Sequence, residues 1–153
     1  MKTKVLLLII LIAIVTACNK DKLESIPKLK FKSLNTSTVQ VGQNFRAVFE
    51  FADKEGDVSD SIFIKEIRLN KNVVATKIDT FAFPMPSFPD KQRGEISLDF
   101  TYEQIKSAIN PPNIPGTNPP VKEPDTLVLR VTLKDKANHV STAVSTSQFQ
   151  VIR

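Results

Sequence analysis

"DTLVLRVTLK", residues 125–134, places Leu127, Leu129, Val131 and Leu133 at every second position. Successive side chains of an extended strand point to opposite faces, so this period of two predicts a strand with one face buried. The same pattern recurs along the chain. Lys28-Leu29-Lys30-Phe31-Lys32 alternates charge with apolar residues, and its three lysines suit an edge strand. Residues 43–51 put Phe45, Ala47, Phe49 and Phe51 on one face. Ile62 to Leu69 reads as another strand, with a parity change at Lys65-Glu66 that predicts a bulge. Val73 to Ile78 can return as a strand after Asn70-Lys71-Asn72. Ile96, Leu98 and Phe100 alternate, and Val140 to Val151 makes a last strand with Phe149 and Val151 inward. Thr101 and Gln104 have the spacing of a capping box, which predicts a short helix running to Ile109.

About seven short strands, some separated by the turn spacing of a sandwich, predict an all-β antiparallel β-sandwich with one short helix; its immunoglobulin-like character is what the resemblance given below implies. Nine of the ten prolines fall in two connections, residues 83–89 and 110–124, where extended and unpaired surface backbone is expected. No long helical period, internal repeat or second domain is visible.

The N-terminus has its own logic. Lys2 and Lys4 precede an uninterrupted apolar run from Val5 to Val15. That run is shorter than the about 20 residues of a membrane-spanning helix and matches the roughly 7–15 residues of a secretory signal core. Val15-Thr16-Ala17-Cys18 resembles the lipobox of bacterial lipoproteins, and Cys18 is the only cysteine of the chain. The resemblance implies a signal peptide over residues 1–17 and lipidation of Cys18. It further implies a tether over residues 18–27 and a single sandwich domain over residues 28–153. Two or three acyl chains, palmitate among them, hold a protein stably at a membrane, whereas one holds it only reversibly. The expected place is the cell envelope, at the outer membrane. Acids and lysines mix after the cysteine, so the sequence leaves the periplasmic or surface face open.

The 153 residues carry 21 lysines and arginines against 16 acids, a formal charge of +5. Removal of Lys2 and Lys4 would leave +3. A mildly basic exported domain gives no argument for nucleic acid. The mature chain also resembles uncharacterised immunoglobulin-like domains of Bacteroidota lipoproteins, through "FEFADKEGDVSD" (49–60) and "DTLVLRVTLKDKANHVST" (125–142). That resemblance implies a sandwich and brings no activity.

Nothing points to catalysis. There is one histidine, His139, in a turn, and no Gly-x-Ser-x-Gly elbow, His-Glu-x-x-His or phosphate loop. The chain therefore reads as a non-enzymatic binding or structural module facing a protein or glycan partner; an envelope enzyme or inhibitor is the weaker alternative. Glycan platforms use flat aromatic faces, yet the chain has no Trp and one Tyr, Tyr102. A third reading is a calcium-stabilised adhesion-type domain. Asp53, Glu55, Asp57 and Asp60 crowd around Gly56, and a sandwich would bring them to the same end as Asp135 and Asn138. Calcium takes six to eight hard oxygens of this kind. Against it, Asp, Asn and Gly build turns by capping their own backbone, and Lys54 and Lys136 lie within the two loops.

Two smaller signals remain. Phe81, Phe83, Met85 and Phe88 stand among prolines, either as an exposed apolar lip or as an edge strand covering the core. Asp60-Ser61-Ile62 and Asp125-Thr126-Leu127 resemble the O-glycosylation triplets of Bacteroidota.

Overall fold

A computed structural model describes residues 23–70, 80–107 and 110–153. The signal peptide expected over residues 1–17, Cys18 and the strand expected over Val73 to Ile78 lie outside the described residues. Among the described residues nine strand segments run in order: β1 (Lys28–Leu34), β2 (Thr38–Val39), β3 (Asn44–Ala52), β4 (Ser61–Arg68), β5 (Thr80–Pro84), β6 (Arg93–Thr101), β7 (Asp125–Lys134), β8 (Val144–Ser145) and β9 (Phe149–Val151). One helical turn, α1 (Tyr102–Ile105), follows β6. Two sheets face each other, β1-β3-β6 and β2-β9-β7-β4-β5, with β8 also paired to β7. β1 and β2 are one pass that changes sheet, as β8 and β9 are one broken pass, so seven passes build the expected all-β sandwich. Relative to the seven-stranded immunoglobulin arrangement, β5 joins the strand before it in the sheet instead of pairing with β6.

The alternation read in the sequence is the alternation of the core. Leu127, Leu129, Val131 and Leu133 of β7 are fully buried, as are Phe45, Ala47 and Phe49 of β3. Phe45 stacks on Phe149 at 4.2 Å between ring centroids and so ties the two sheets together. β1 is an edge strand as expected, and its bulge falls at Lys32 between Phe31 and Ser33. Lys32 pairs with Glu50 at 3.7 Å and also with Glu95, so part of the lysine face is neutralised within the sheet.

Four expectations are corrected. β4 pairs with β7 in unbroken register from Ser61 to Arg68, so there is no bulge at Lys65-Glu66. The inward parity continues through Ile62, Ile64, Glu66 and Arg68, with charged residues taking the last two inward positions. The last strand is broken, because its register against β7 slips one residue at each step, from Lys134↔Val140 to Val131↔Val144 to Leu127↔Phe149. Two hydroxyls serve the broken pass: Ser141 Oγ accepts from the Leu133 N–H (2.9 Å) and Thr146 Oγ1 from the Leu129 N–H (3.1 Å). The helix stops at Ile105, since Lys106 turns to an extended conformation, although Gln104 Oε1 does accept the Thr101 N–H as expected (2.9 Å). The second proline-rich connection is not unpaired throughout: Asn113 bridges Lys122, and the Ile114 N–H donates to the Val121 carbonyl at 2.8 Å.

Candidate functional site

The turn after β3 and the turn after β7 meet at one end of the sandwich. They are joined where the Lys136 N–H donates to the Asp57 carbonyl (3.1 Å). Of the five carboxylates expected there, the fold brings three together. Carboxylate oxygens of Asp53, Asp57 and Asp135 lie within 4.8 Å of one another. Glu55 is turned away and accepts from Ser25 Oγ at 3.0 Å. Asp60 pairs with Lys134 at 3.4 Å. Asn138 supplies the positive φ (70°) of the second turn. Glu55 and Asp60 therefore stand apart from the cluster.

Turn building accounts for part of the chemistry. Asp53 Oδ2 accepts the N–H of Gly56 (2.6 Å) and of Asp57 (3.3 Å). Asp135 Oδ1 accepts the His139 N–H (2.7 Å), and its Oδ2 lies 2.9 Å from His139 Nδ1. Two oxygens are left over: Asp53 Oδ1 and Asp57 Oδ1 are buried with no hydrogen-bond donor. Asp53 is fully buried and Asp135 is 1% exposed. Burial pushes the Asp53 carboxyl above the usual carboxylate range; the Gly56 and Asp57 N–H groups oppose this, while the charges of Asp57 and Glu55 add to it. The lysines expected to repel a cation point elsewhere, Lys54 to Glu55 and Lys136 to Asp90, each at 3.7 Å.

At the other end of β7, Asp125 is buried between two arginines, Arg68 Nε at 3.1 Å and Arg153 Nη2 at 2.6 Å. Arg153 also donates to the Ser107 carbonyl (2.5 Å) and so fixes the C-terminus below α1. Sequence reasoning missed this cluster. Its signal was there, since Glu66 and Arg68 keep the inward phase of Ile62 and Ile64.

A third feature lies between the sheets. β6 ends one sheet and β5 ends the other, and an apolar groove of about 710 Å³ opens between them. Phe51, Ile96, Leu98 and Phe100 form its floor, with Phe83, Met85 and Phe88 along its lip. The segment expected as lip or core cover is both. Phe81, Met85 and Phe88 pack against the core, while Phe83 is 41% exposed. Gly94 allows the wall to close, because a Cβ there would meet the Phe51 ring at 2.7 Å.

Other expected sites change meaning. Tyr102 is buried and donates to the Ile152 carbonyl (3.1 Å), so it offers no face for a sugar ring. Ser61 and Thr126 of the glycosylation triplets sit within paired strands. His139 and Asp135 have the spacing of a base and its orienting acid, but among the described residues no serine or threonine hydroxyl bonds to the ring. No helix among the described residues is long and apolar enough to cross a membrane.

Neither a family model nor a curated protein sequence matches the chain. Among solved structures, the chain is similar to the Pseudomonas fluorescens alkylpurine DNA glycosylase AlkC (TM-score 0.45, 9% identity, 85% of this chain and 31% of that one). It is also similar to the Bacillus subtilis sporulation control protein Spo0M (0.44, 10%, 85% and 51%). A β-glucosidase from Listeria innocua gives 0.40 at 14% identity, over 88% of this chain and 17% of that one. The chain spans at most about half the length of these proteins, and likenesses this loose carry no argument.

Proposed function

We propose that the protein is a non-enzymatic, lipid-anchored module of the cell envelope that binds an extended segment of a partner protein. The observation that carries the reading is the apolar groove beside the outer edge of β6. β6 is nine residues long and pairs, among the described strands, with β3 alone, which leaves a row of backbone donors and acceptors along the groove. An extended peptide could add there as a strand, with main-chain bonds supplying affinity and alternate apolar side chains entering the groove. A long open edge is an aggregation hazard unless managed. Glu95 and Asp99, exposed on β6, meet that need and would face the rim of a bound peptide. The buried Tyr102 and the absence of Trp favour a protein over a glycan. The lipobox-like Val15-Thr16-Ala17-Cys18 supports the anchor.

Site-specific photocrosslinking in intact cells tests this. A photoreactive phenylalanine analogue at Phe83 should give one adduct of defined mass, and the same analogue at Lys30 on the opposite edge should not. Adducts at neither position, or equal adducts at both, would reject the groove as the binding surface.

A further inference from the structure

The geometry points to a calcium site formed by Asp53, Asp57 and Asp135 at the loop end of the sandwich, an inference that does not rest on the reading of the groove. Three carboxylates within 4.8 Å carry three like charges, and among the described residues no lysine or arginine pairs with them. A cluster alone proves little, because acids build turns. The separate observation is the pair of orphaned oxygens. Asp53 Oδ1 and Asp57 Oδ1 are shielded from water and accept nothing, although Asp53 Oδ2 and both oxygens of Asp135 are engaged in their turns. A buried acceptor without a donor is costly, and an uncompensated buried charge more so. At the far end of the same strand the fold solves the equivalent problem with Arg68 and Arg153 around Asp125. At this end a bound cation would do it.

The donor set selects the ion. All three ligands are hard oxygens, which suit calcium or magnesium and not a soft transition metal. Carboxylates spread over up to 4.8 Å fit around one ion at calcium's 2.3–2.6 Å per ligand. Magnesium demands a tighter octahedron and keeps several waters, for which two buried carboxylates leave little room. His139 would orient Asp135 from outside the shell through Nδ1. The ion would lock the turn after β3 to the turn after β7, which already touch through Lys136 and Asp57.

The full chain, purified and stripped with EDTA, should melt about 4 °C or more higher in about 10 mM CaCl2 at constant ionic strength, a concentration well above the Kd of about 10⁻⁴–10⁻³ M of extracellular calcium modules. MgCl2 should do clearly less. Titration calorimetry should give one site, Asp57→Asn should weaken it at least tenfold, and Asp60→Asn should leave it intact. Asp53→Asn serves as a second variant should Asp57→Asn fold poorly. An unchanged melt in calcium, an equal response to magnesium, or full binding by the Asp53 and Asp57 variants would overturn the assignment.

Discussion

Asp125 and Asp135 stand at the two ends of β7, neither more than 1% exposed, and only Asp125 is flanked by guanidinium groups. One strand thus carries two buried charges that the fold treats differently. Asp125 is part of a closed structural clasp. Asp135 faces two other carboxylates and the ring of His139.

The clasp should be costly to open. Removing one partner of a buried ion pair strands the other and typically costs about 3–5 kcal/mol. Asp125→Ala should therefore lower unfolding free energy by about 3 kcal/mol in urea titration. Arg153→Gln should cost less, because that side chain is 22% exposed. A loss below about 1 kcal/mol for Asp125→Ala would show that the clasp is energetically idle.

Asp53 makes stability depend on pH in a defined direction. Its carboxyl binds a proton more tightly folded than unfolded, mainly through burial. Its contribution is full below the ordinary value of 3.8 and is lost as pH rises through the raised folded-state value. Asp53→Asn keeps an acceptor for the Gly56 N–H and removes the titration. In EDTA, the stability of the variant relative to the parent should grow from about pH 4 to about pH 7. A difference that stays constant across that range would contradict this account of Asp53.

Ser141 and Thr146 are small residues in the broken last pass, and the structure gives each a specific task. Their hydroxyls accept from the Leu133 and Leu129 amides on the fully buried face of β7. A buried amide left without an acceptor costs about 1–3 kcal/mol. Ser141→Ala and Thr146→Ala should each lose that much. Leu129 and Leu133 lie four residues apart, about 13 Å along the strand, so the losses should add. Hydrogen exchange should show the two amides opening faster in the matching variant.

Two glycines separate conformational strain from crowding. Gly42 (φ 78°) has open space where a Cβ would go, while at Gly56 (φ 80°) a Cβ would lie 2.8 Å from the Lys91 backbone. Gly42→Ala should cost about 1 kcal/mol from backbone conformation alone. Gly56→Ala should cost clearly more, and should disturb the turn that holds Asp53 and Asp57. Equal losses in thermal melts would contradict the crowding at Gly56.

Much of this was legible in the sequence because it depends on period two. The buried faces of β3, β6 and β7 follow directly from their alternating apolar residues, and the order of strands brought the Asp53 and Asp135 turns to one end. What was not legible depends on pairing across the sheets. Glu66 and Arg68 looked like a broken pattern, since hydropathy cannot tell a bulge from a charge held inward by Asp125 and its neighbours. The slips in the last pass are invisible for the same reason, as they are set by β7 and two hydroxyls. Glu55 and Asp60 looked equal to Asp53 and Asp57 until their partners, Ser25 and Lys134, came from elsewhere in the fold. The groove needed two sheet edges, β5 and β6, to be placed side by side.

The proposed place of the protein, at a membrane of the envelope, rests on lipidation of Cys18. The most direct measurement is metabolic labelling with a clickable palmitate analogue, followed by membrane fractionation of the parent chain and Cys18→Ala. The account predicts that the parent takes up the label and sediments with membranes, while the variant is unlabelled and released. Label retained by Cys18→Ala, or an unlabelled parent in the soluble fraction, would contradict it.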